Sequence, residues 1–406
     1  MNLEQHFRPG DVVFVAGSSN EPKRLIEMLR GADLPEHLHF VQFPIAGYND
    51  EDFTAWHPTY QQTTFFMTPT LKNAAPDRLH FVPIQMRNVF DYLADRVDVA
   101  LVQVAEDRRG ALRLGPNVDF ADSALGSARV VLAEHNRSFV AAGGSRAIDP
   151  GQLAAVVESD IPLVALPAAP MDDVALAIGA HVAGLVRDGD CIQTGIGAIP
   201  AAILAALGEH NDLGIHGGLI DDGGMALIER GVATGRRKTL DRGLHVTGMA
   251  LGSEQLYAWL AERDDVVFRG ADYTHEVGVM RRIDSFVSVN SAVEVDLYGQ
   301  VNGEFAGGRQ ISGTGGSVDF MRGARASANG RSIVAMPATA RRGSVSRIVT
   351  QVELVTAART DVDMVVTEFG VAELRDQPAA ARQERLIEIA APAFRDELRE
   401  QAHATT

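Results

Sequence analysis

The chain has 406 residues, roughly two to three times an ordinary single domain, so two domains are expected. Hydrophobic residues make up 46% and charged residues 22%, which excludes a mostly disordered, collagenous or coiled-coil chain. Lys and Arg number 37 against 53 Asp and Glu, a net charge of −16, which argues against nucleic acid or a membrane as a partner and leaves room only for local anion sites.

In chain order, Gly10-Asp11 leads into the apolar run Val12 to Val15, then the turn Ala16-Gly17-Ser18-Ser19-Asn20, then a helical pattern with Leu25, Ile26, Met28 and Leu29. The same strand, turn and helix order recurs. Buried strands are predicted at Phe81 to Ile84, Val97 to Val104, Ala128 to Leu132, Cys191 to Gln193, Phe286 to Val289, Ser332 to Met336 and Asp363 to Thr367. Their continuous apolar character suits parallel sheets covered on both faces, the α/β class. From Ile161 to Asp173 the sequence IPLVALPAAPMDD mixes proline with small residues and reads as an extended connector. The predicted domains are therefore 1–174 and 175–406, with a helix over Val174 to Leu185 at the junction. The second half restarts with GDC, strand and GIG, an echo of GDVV, strand and AGSS at the start. That echo predicts two similarly built open α/β domains with a cleft between them.

The one cysteine, Cys191, allows no intrachain disulfide and reads as a small core residue suited to a reducing compartment. The opening MNLEQHFRPGDVV has no basic stretch followed by an apolar run. The richest apolar stretch, Ile161 to Val186, is broken by three prolines and by Asp172 and Asp173. A soluble, cytoplasmic protein is expected.

Two glycine loops carry the functional signal. Thr194-Gly195-Ile196-Gly197-Ala198-Ile199-Pro200 joins a strand to the helical run Ala201 to Leu207, with Pro200 well placed in a first turn. Its glycines let a ligand approach the backbone, and amides at the helix start attract phosphate or a developing oxyanion. A plain tight turn explains the same residues. The third glycine of the dinucleotide fingerprint is missing. The second loop, Ser312-Gly313-Thr314-Gly315-Gly316-Ser317, suits either a thioester carbonyl or a flexible hairpin. Arg341, Arg342 and Arg347 then form a basic cluster, read either as an anion site or as a solvated face. The histidines show no metal-ligand spacing, and a G-x-S-x-G nucleophile elbow is absent.

Five segments, DGDCIQTGIGAIPAAIL, LGIHGGLIDDGGMALIERGV, FVSVNSAVEVDLYGQVNGE, ISGTGGSVDFMRGA and DMVVTEFGVAEL, resemble the acetyl-CoA hydrolase/transferase family in order and spacing. The likeness is to its 4-hydroxybutyrate, acetate and butyrate CoA-transferase branch and spans nearly the whole chain. It implies two related α/β domains of the CoA-transferase type, with coenzyme A or acyl-CoA as substrate rather than a tightly bound cofactor. It also implies a small carboxylate or other acyl acceptor, and a homo-oligomer. The family reaction is covalent: a glutamate attacks the thioester and carries CoA between acids. By position, the CoA contacts fall on Gly195, Ile196, Gly197, Ala198, Ile199, Val293 and Gly316. The amides of the loop at Gly313 to Gly316, Gly315 among them, would then help stabilise the tetrahedral intermediate.

One departure bears on the chemistry. The family's glutamate stands two residues after the histidine of LGIH, where this chain has Gly218, a residue with no side chain. Substitute carboxylates are Asp221, Asp222, Glu294 and Glu304, with Asp221 the least usual residue at its position. Water activated by His216 or a carboxylate would instead make a thioesterase. Direct attack by an acceptor, or acyl-CoA binding without turnover, are the other readings.

Overall fold

The structure is a computed structural model that describes residues 2–166 and 169–404, the last two by backbone only. The chain divides into two compact units. One comprises Met1–Pro167, Gly218–Ile220 and Val246–Thr274; the other comprises Ala168–Gly217, Asp221–His245 and His275–Thr406. Each is an open α/β unit around a mainly parallel sheet. No helix among the described residues is long and apolar enough to cross a membrane.

In the first unit the strand order is Leu79–Phe81, Gln61–Thr64, His39–Gln42, Val12–Val15, Val99–Glu106, Val130–Asn136 and Ala155–Ser159, all parallel. Leu112–Leu114 adds antiparallel to Val99–Glu106. Val13, Val15, Phe40, Val99, Leu101 and Leu132 meet Leu25, Ile26 and Leu29 of the helix Lys23–Arg30 in one core. That helix puts its leucines and isoleucine on a single stripe, which is what seats it on the sheet. The predicted strand at Phe81 to Ile84 instead ends at Phe81, short of Pro83, which has no N–H for the ladder. Gln61–Thr64 escaped prediction because it is polar. Its last three residues are nonetheless buried, and Gln62 Oε1 accepts from Phe53 N at 2.9 Å while Thr64 Oγ1 donates to Phe66 O at 2.7 Å.

A single boundary near residue 175 does not describe this division. Leu219–Ile220 pairs in parallel with Met249–Ala250. Ala250 N donates to Pro116 O at 2.7 Å, Val118 N to Gly248 O at 2.9 Å and Phe268 N to Gly144 O at 2.9 Å. These long-range backbone bonds hold two late stretches of chain in the first unit, and no local periodicity announces them. Of the predicted connector, residues 167 and 168 lie outside the described residues.

In the second unit the order is Gly214–Ile215, Cys191–Gln193, Phe286–Asn290, Arg331–Ala335, Met364–Thr367 and Gly370–Glu373, parallel except for the last strand. Cys191–Gln193 is followed in sequence first by its neighbour on one side, Gly214–Ile215, and then by its neighbour on the other, Phe286–Asn290. The strand order therefore reverses between Cys191–Gln193 and Phe286–Asn290, and in open α/β sheets ligands bind beyond the carboxyl ends at such a reversal. Cys191 packs with Met280, Ile283, Phe286, Phe320 and Ala324. Burial pushes its thiol up to about 11, so it is a core residue and an unreactive one.

Candidate active site

Both glycine loops lie at the carboxyl edge of the second unit's sheet. The first leaves Cys191–Gln193 and opens the helix Ala198–Ala206. The second opens the helix Ser317–Ala326, which packs on Phe286–Asn290 and Arg331–Ala335 and runs back to the start of the latter. A crossover helix between parallel strands runs opposite to them, so its amino end stands at their carboxyl ends. The two helices start at Gly197 and Gly316, and neither has a side-chain cap. By contrast, Asp172 caps Asp173–Ala183 through Ala175 N at 2.8 Å, and Asp221 caps Asp222–Glu229 through Gly224 N at 2.9 Å. First-turn amides at the two glycine starts therefore receive no side-chain acceptor from the cap position. Between them, the side-chain amides of Gln193 and Asn290 pair across the strands, Asn290 Nδ2 donating to Gln193 Oε1 at 3.3 Å. Val293 follows, half-buried, its N–H donating to Asn302 O at 2.8 Å.

The glycines have different reasons for being glycine. Gly197 has φ +113°, a conformation that side chains rarely adopt, and Gly315 has φ +56°. At Gly316 a β-carbon would stand 2.4 Å from His275 Cδ2 and Nε2, so the imidazole edge occupies the space of a side chain. Gly195 meets neither condition: its φ is ordinary and a β-carbon there would have nothing within 4 Å. The fold therefore does not demand glycine at 195. Ile196, next to it, is 49% exposed, and Ala198 and Ile199 are half-buried in the first turn.

Asp221, Glu294 and Glu304 each accept hydrogen bonds from within the second unit. Asp221 is the helix cap just described, and burial raises its pKa. Glu294 Oε1 accepts from Asn302 Nδ2 at 3.0 Å and from Glu353 N at 2.8 Å, tying a strand to a loop. Glu304 is buried under the second loop. Its carboxylate accepts from Gln310 Nε2 at 2.6 Å, Thr314 Oγ1 at 3.1 Å and Thr356 Oγ1 at 3.0 Å, and its carbonyl accepts from Ile311 N at 2.8 Å. Gly313 to Gly316 are thereby fixed from below. Asp222 begins the helix that Asp221 caps.

His216 is fully buried after Gly214–Ile215, its ring edge-on to Phe286 with centroids 6.0 Å apart. Lys238 Nζ, also buried, donates to Ile215 O at 3.2 Å and Leu244 O at 2.8 Å and so holds the backbone beside His216. Sequence reasoning missed His275. Nothing in ADYTHEV marks a site, and only the fold sets its ring against Gly316 and, at 4.5 Å between centroids, against Phe320. Burial lowers its pKa to about 3, so it is a neutral imidazole at physiological pH. Arg341 and Arg342 are exposed at the turn of the hairpin Thr339–Ala340 and Val345–Ser346, which leaves the same carboxyl edge. Arg347 turns back to Ala292 O at 3.5 Å.

Gly218 belongs to the first unit, where its carbonyl accepts from Gly248 N at 3.2 Å and Met249 N at 2.9 Å. In that unit the strand order reverses between Val12–Val15 and Val99–Glu106, and the turn after Val12–Val15 holds Ser18 at φ +58°, its N–H donating to Asn49 Oδ1 at 2.6 Å. Nearby, Asp119 is 1% exposed, its Oδ1 finds no hydrogen-bond partner among the described residues, and burial pushes its pKa up to about 8.

Comparison with known proteins agrees with this architecture. Residues 252–402 match the family model for the acetyl-CoA hydrolase/transferase C-terminal domain. The chain is 41% identical over 405 residues to the 4-hydroxybutyrate coenzyme A transferase of Clostridium kluyveri, covering 98% of this chain and 94% of that protein. Among solved structures it is similar to RipA from Yersinia pestis, with a TM-score of 0.92, 31% identity, and 100% of this chain and 97% of that one covered. It is also similar to the 4-hydroxybutyrate CoA-transferase of Porphyromonas gingivalis, with a TM-score of 0.83, 32% identity and coverage of 99% and 95%. A likeness of this depth along almost all of both sequences places the chain in the acetyl-CoA hydrolase/transferase family, as an enzyme of the CoA-transferase kind.

Proposed function

We propose that the protein binds acyl-CoA at the carboxyl edge of the second unit's sheet and transfers CoA or the acyl group from the thioester to a small carboxylate or other acceptor, without the family's glutamate. The observation that carries the reading is the pair of uncapped helix starts, at Gly197 and Gly316, beside the reversal of strand order. One set of amides suits the pantetheine arm and the other the thioester carbonyl. The exposed Arg341 and Arg342 suit the phosphates of the coenzyme.

The hydrogen bonds that already engage Asp221, Glu294 and Glu304 favour direct attack by the acceptor over a relocated carboxylate nucleophile. The same observation favours, as second reading, hydrolysis with water as the acceptor. The experiment is turnover of acetyl-CoA and butyryl-CoA with and without added carboxylates, followed by hydroxylamine trapping and peptide mass spectrometry. Acceptor-dependent consumption of thioester without a CoA adduct on the protein is expected. Release of free acid independent of acceptor favours hydrolysis, an adduct on a carboxylate overturns direct attack, and no consumption of any thioester overturns the proposal.

A further inference from the structure

One of the five recognisable segments, DMVVTEFGVAEL, has no task in the site described so far. It forms the strand Met364–Thr367, a turn at Glu368 and Phe369, and the returning strand Gly370–Glu373, so the turn stands at the carboxyl edge of the second unit's sheet. Phe369 is 44% exposed there, an unusual placement for so large an apolar side chain. It is nonetheless fixed. Its backbone N–H donates to Thr367 Oγ1 at 3.1 Å, and the Arg395 guanidinium lies over its ring with Cζ 5.8 Å from the centroid. Arg395 is in turn anchored by Nε donating to Ala390 O at 2.9 Å. A cation over an aromatic ring is attracted by the ring's electrons, so the phenyl group is held from one side while much of its surface stays open.

The turn is also tied to its neighbour. Ala338 N donates to Glu368 Oε2 at 2.8 Å, which joins the Phe369 turn to the root of the hairpin that carries the exposed Arg341 and Arg342. Along the carboxyl edge the strand order therefore sets out a row. The first glycine loop follows Cys191–Gln193, Val293 follows Phe286–Asn290, the arginine hairpin follows Arg331–Ala335, and Phe369 follows Met364–Thr367. Neighbouring strands stand about 4.8 Å apart, so the strands at the two ends of the row are about 14 Å apart. That gap is on the scale of an extended pantetheine arm. Backbone amides, then guanidinium groups, then an open aromatic ring follow the order of thioester, diphosphate and base in an acyl-CoA.

Resting on the acyl-CoA reading above, we infer that Phe369 is the platform for the adenine of the coenzyme. The base stacks on the open face of the ring, the phosphates lie by Arg341 and Arg342, and the thioester end reaches the glycine loops. Every base has a flat π-face, so an aromatic side chain fixed at one side is sufficient to hold it. The platform takes no part in the bond changes; it distinguishes a thioester of coenzyme A from one that lacks the nucleotide.

The test measures kcat/KM for acetyl-CoA and for S-acetylpantetheine, which lacks the nucleotide, in wild type, Phe369→Leu and Phe369→Trp. Wild type is expected to prefer acetyl-CoA. Phe369→Leu should cut that preference about 5-fold to 100-fold, as loss of one stacked base does, and Phe369→Trp, which keeps a flat ring, should retain it. A preference unaltered in Phe369→Leu, or lowered as far in Phe369→Trp, would overturn the platform. Consumption of neither thioester by wild type would overturn the acyl-CoA reading itself, and the inference with it.

Discussion

Gly195→Ala separates a glycine kept for a ligand from one kept for the fold. A β-carbon at 195 meets nothing within 4 Å and the backbone there is not left-handed, so the free protein loses no packing. Removing glycine's freedom from the unfolded chain stabilises such a site by about 0.4–1 kcal/mol. The methyl group does, however, stand between the backbone and anything seated on it. Losing a hydrogen bond to a charged or strongly polar group costs about 1.5–3 kcal/mol, which is roughly a tenfold to hundredfold weaker CoA affinity. Gly316→Ala is the contrast. Its β-carbon would lie 2.4 Å from the His275 ring and 3.0 Å from Phe320 Cε2, both packed side chains, and such overpacking costs about 1–3 kcal/mol of stability. Chemical denaturation of the free proteins gives the first quantity and calorimetric titration with CoA the second. The reasoning fails if Gly195→Ala keeps wild-type affinity, or if it loses stability as Gly316→Ala does.

Glu304→Ala leaves Thr314, Thr356 and Gln310 without their shared acceptor, so kcat should fall more than CoA affinity while Glu304→Gln recovers part of the loss; unchanged kinetics in a folded Glu304→Ala would deny it the task of fixing the loop. Asp221→Ala should lower stability by about 1 kcal/mol, as loss of a helix cap does, with turnover retained; abolished turnover at full stability would make Asp221 the nucleophile after all. Asp119 stays protonated in the fold up to about pH 8 but ionises in the unfolded chain near pH 4, so the folded chain holds the extra proton between those limits and stability falls as pH rises through them. In Asp119→Asn that part of the slope should vanish from denaturation midpoints measured between about pH 5 and 8.5, and an unaltered slope would contradict the assignment.

The class of fold was legible because its strands are apolar runs. Val12–Val15, Cys191–Gln193 and Phe286–Asn290 fall where β-branched and aromatic residues cluster, and the glycine loops follow strands as a helix start requires. Gln61–Thr64 was not legible, since its buried glutamine and threonine hydrogen-bond to the backbone of Phe53, nine residues back, and of Phe66 in the turn that follows. Neither was the membership of Val246–Thr274 in the first unit, which depends on backbone bonds to Pro116 and Gly144. At the site, residue types showed where a ligand would approach the main chain, but not what the carboxylates were doing. Asp221 as a cap and Glu304 as an anchor are statements about hydrogen-bond partners, and His275 beside Gly316 joins residues far apart in the chain. Such pairings exist only once the sheet has formed.

Hydrogen–deuterium exchange of the full chain with and without saturating acetyl-CoA tests the central claim most directly. The account predicts slowed exchange in two separate peptides, one covering Gly195 to Ile199 and the other Gly313 to Gly316, with little change at Asp221. Unchanged exchange in both peptides at a ligand concentration that saturates binding would contradict it.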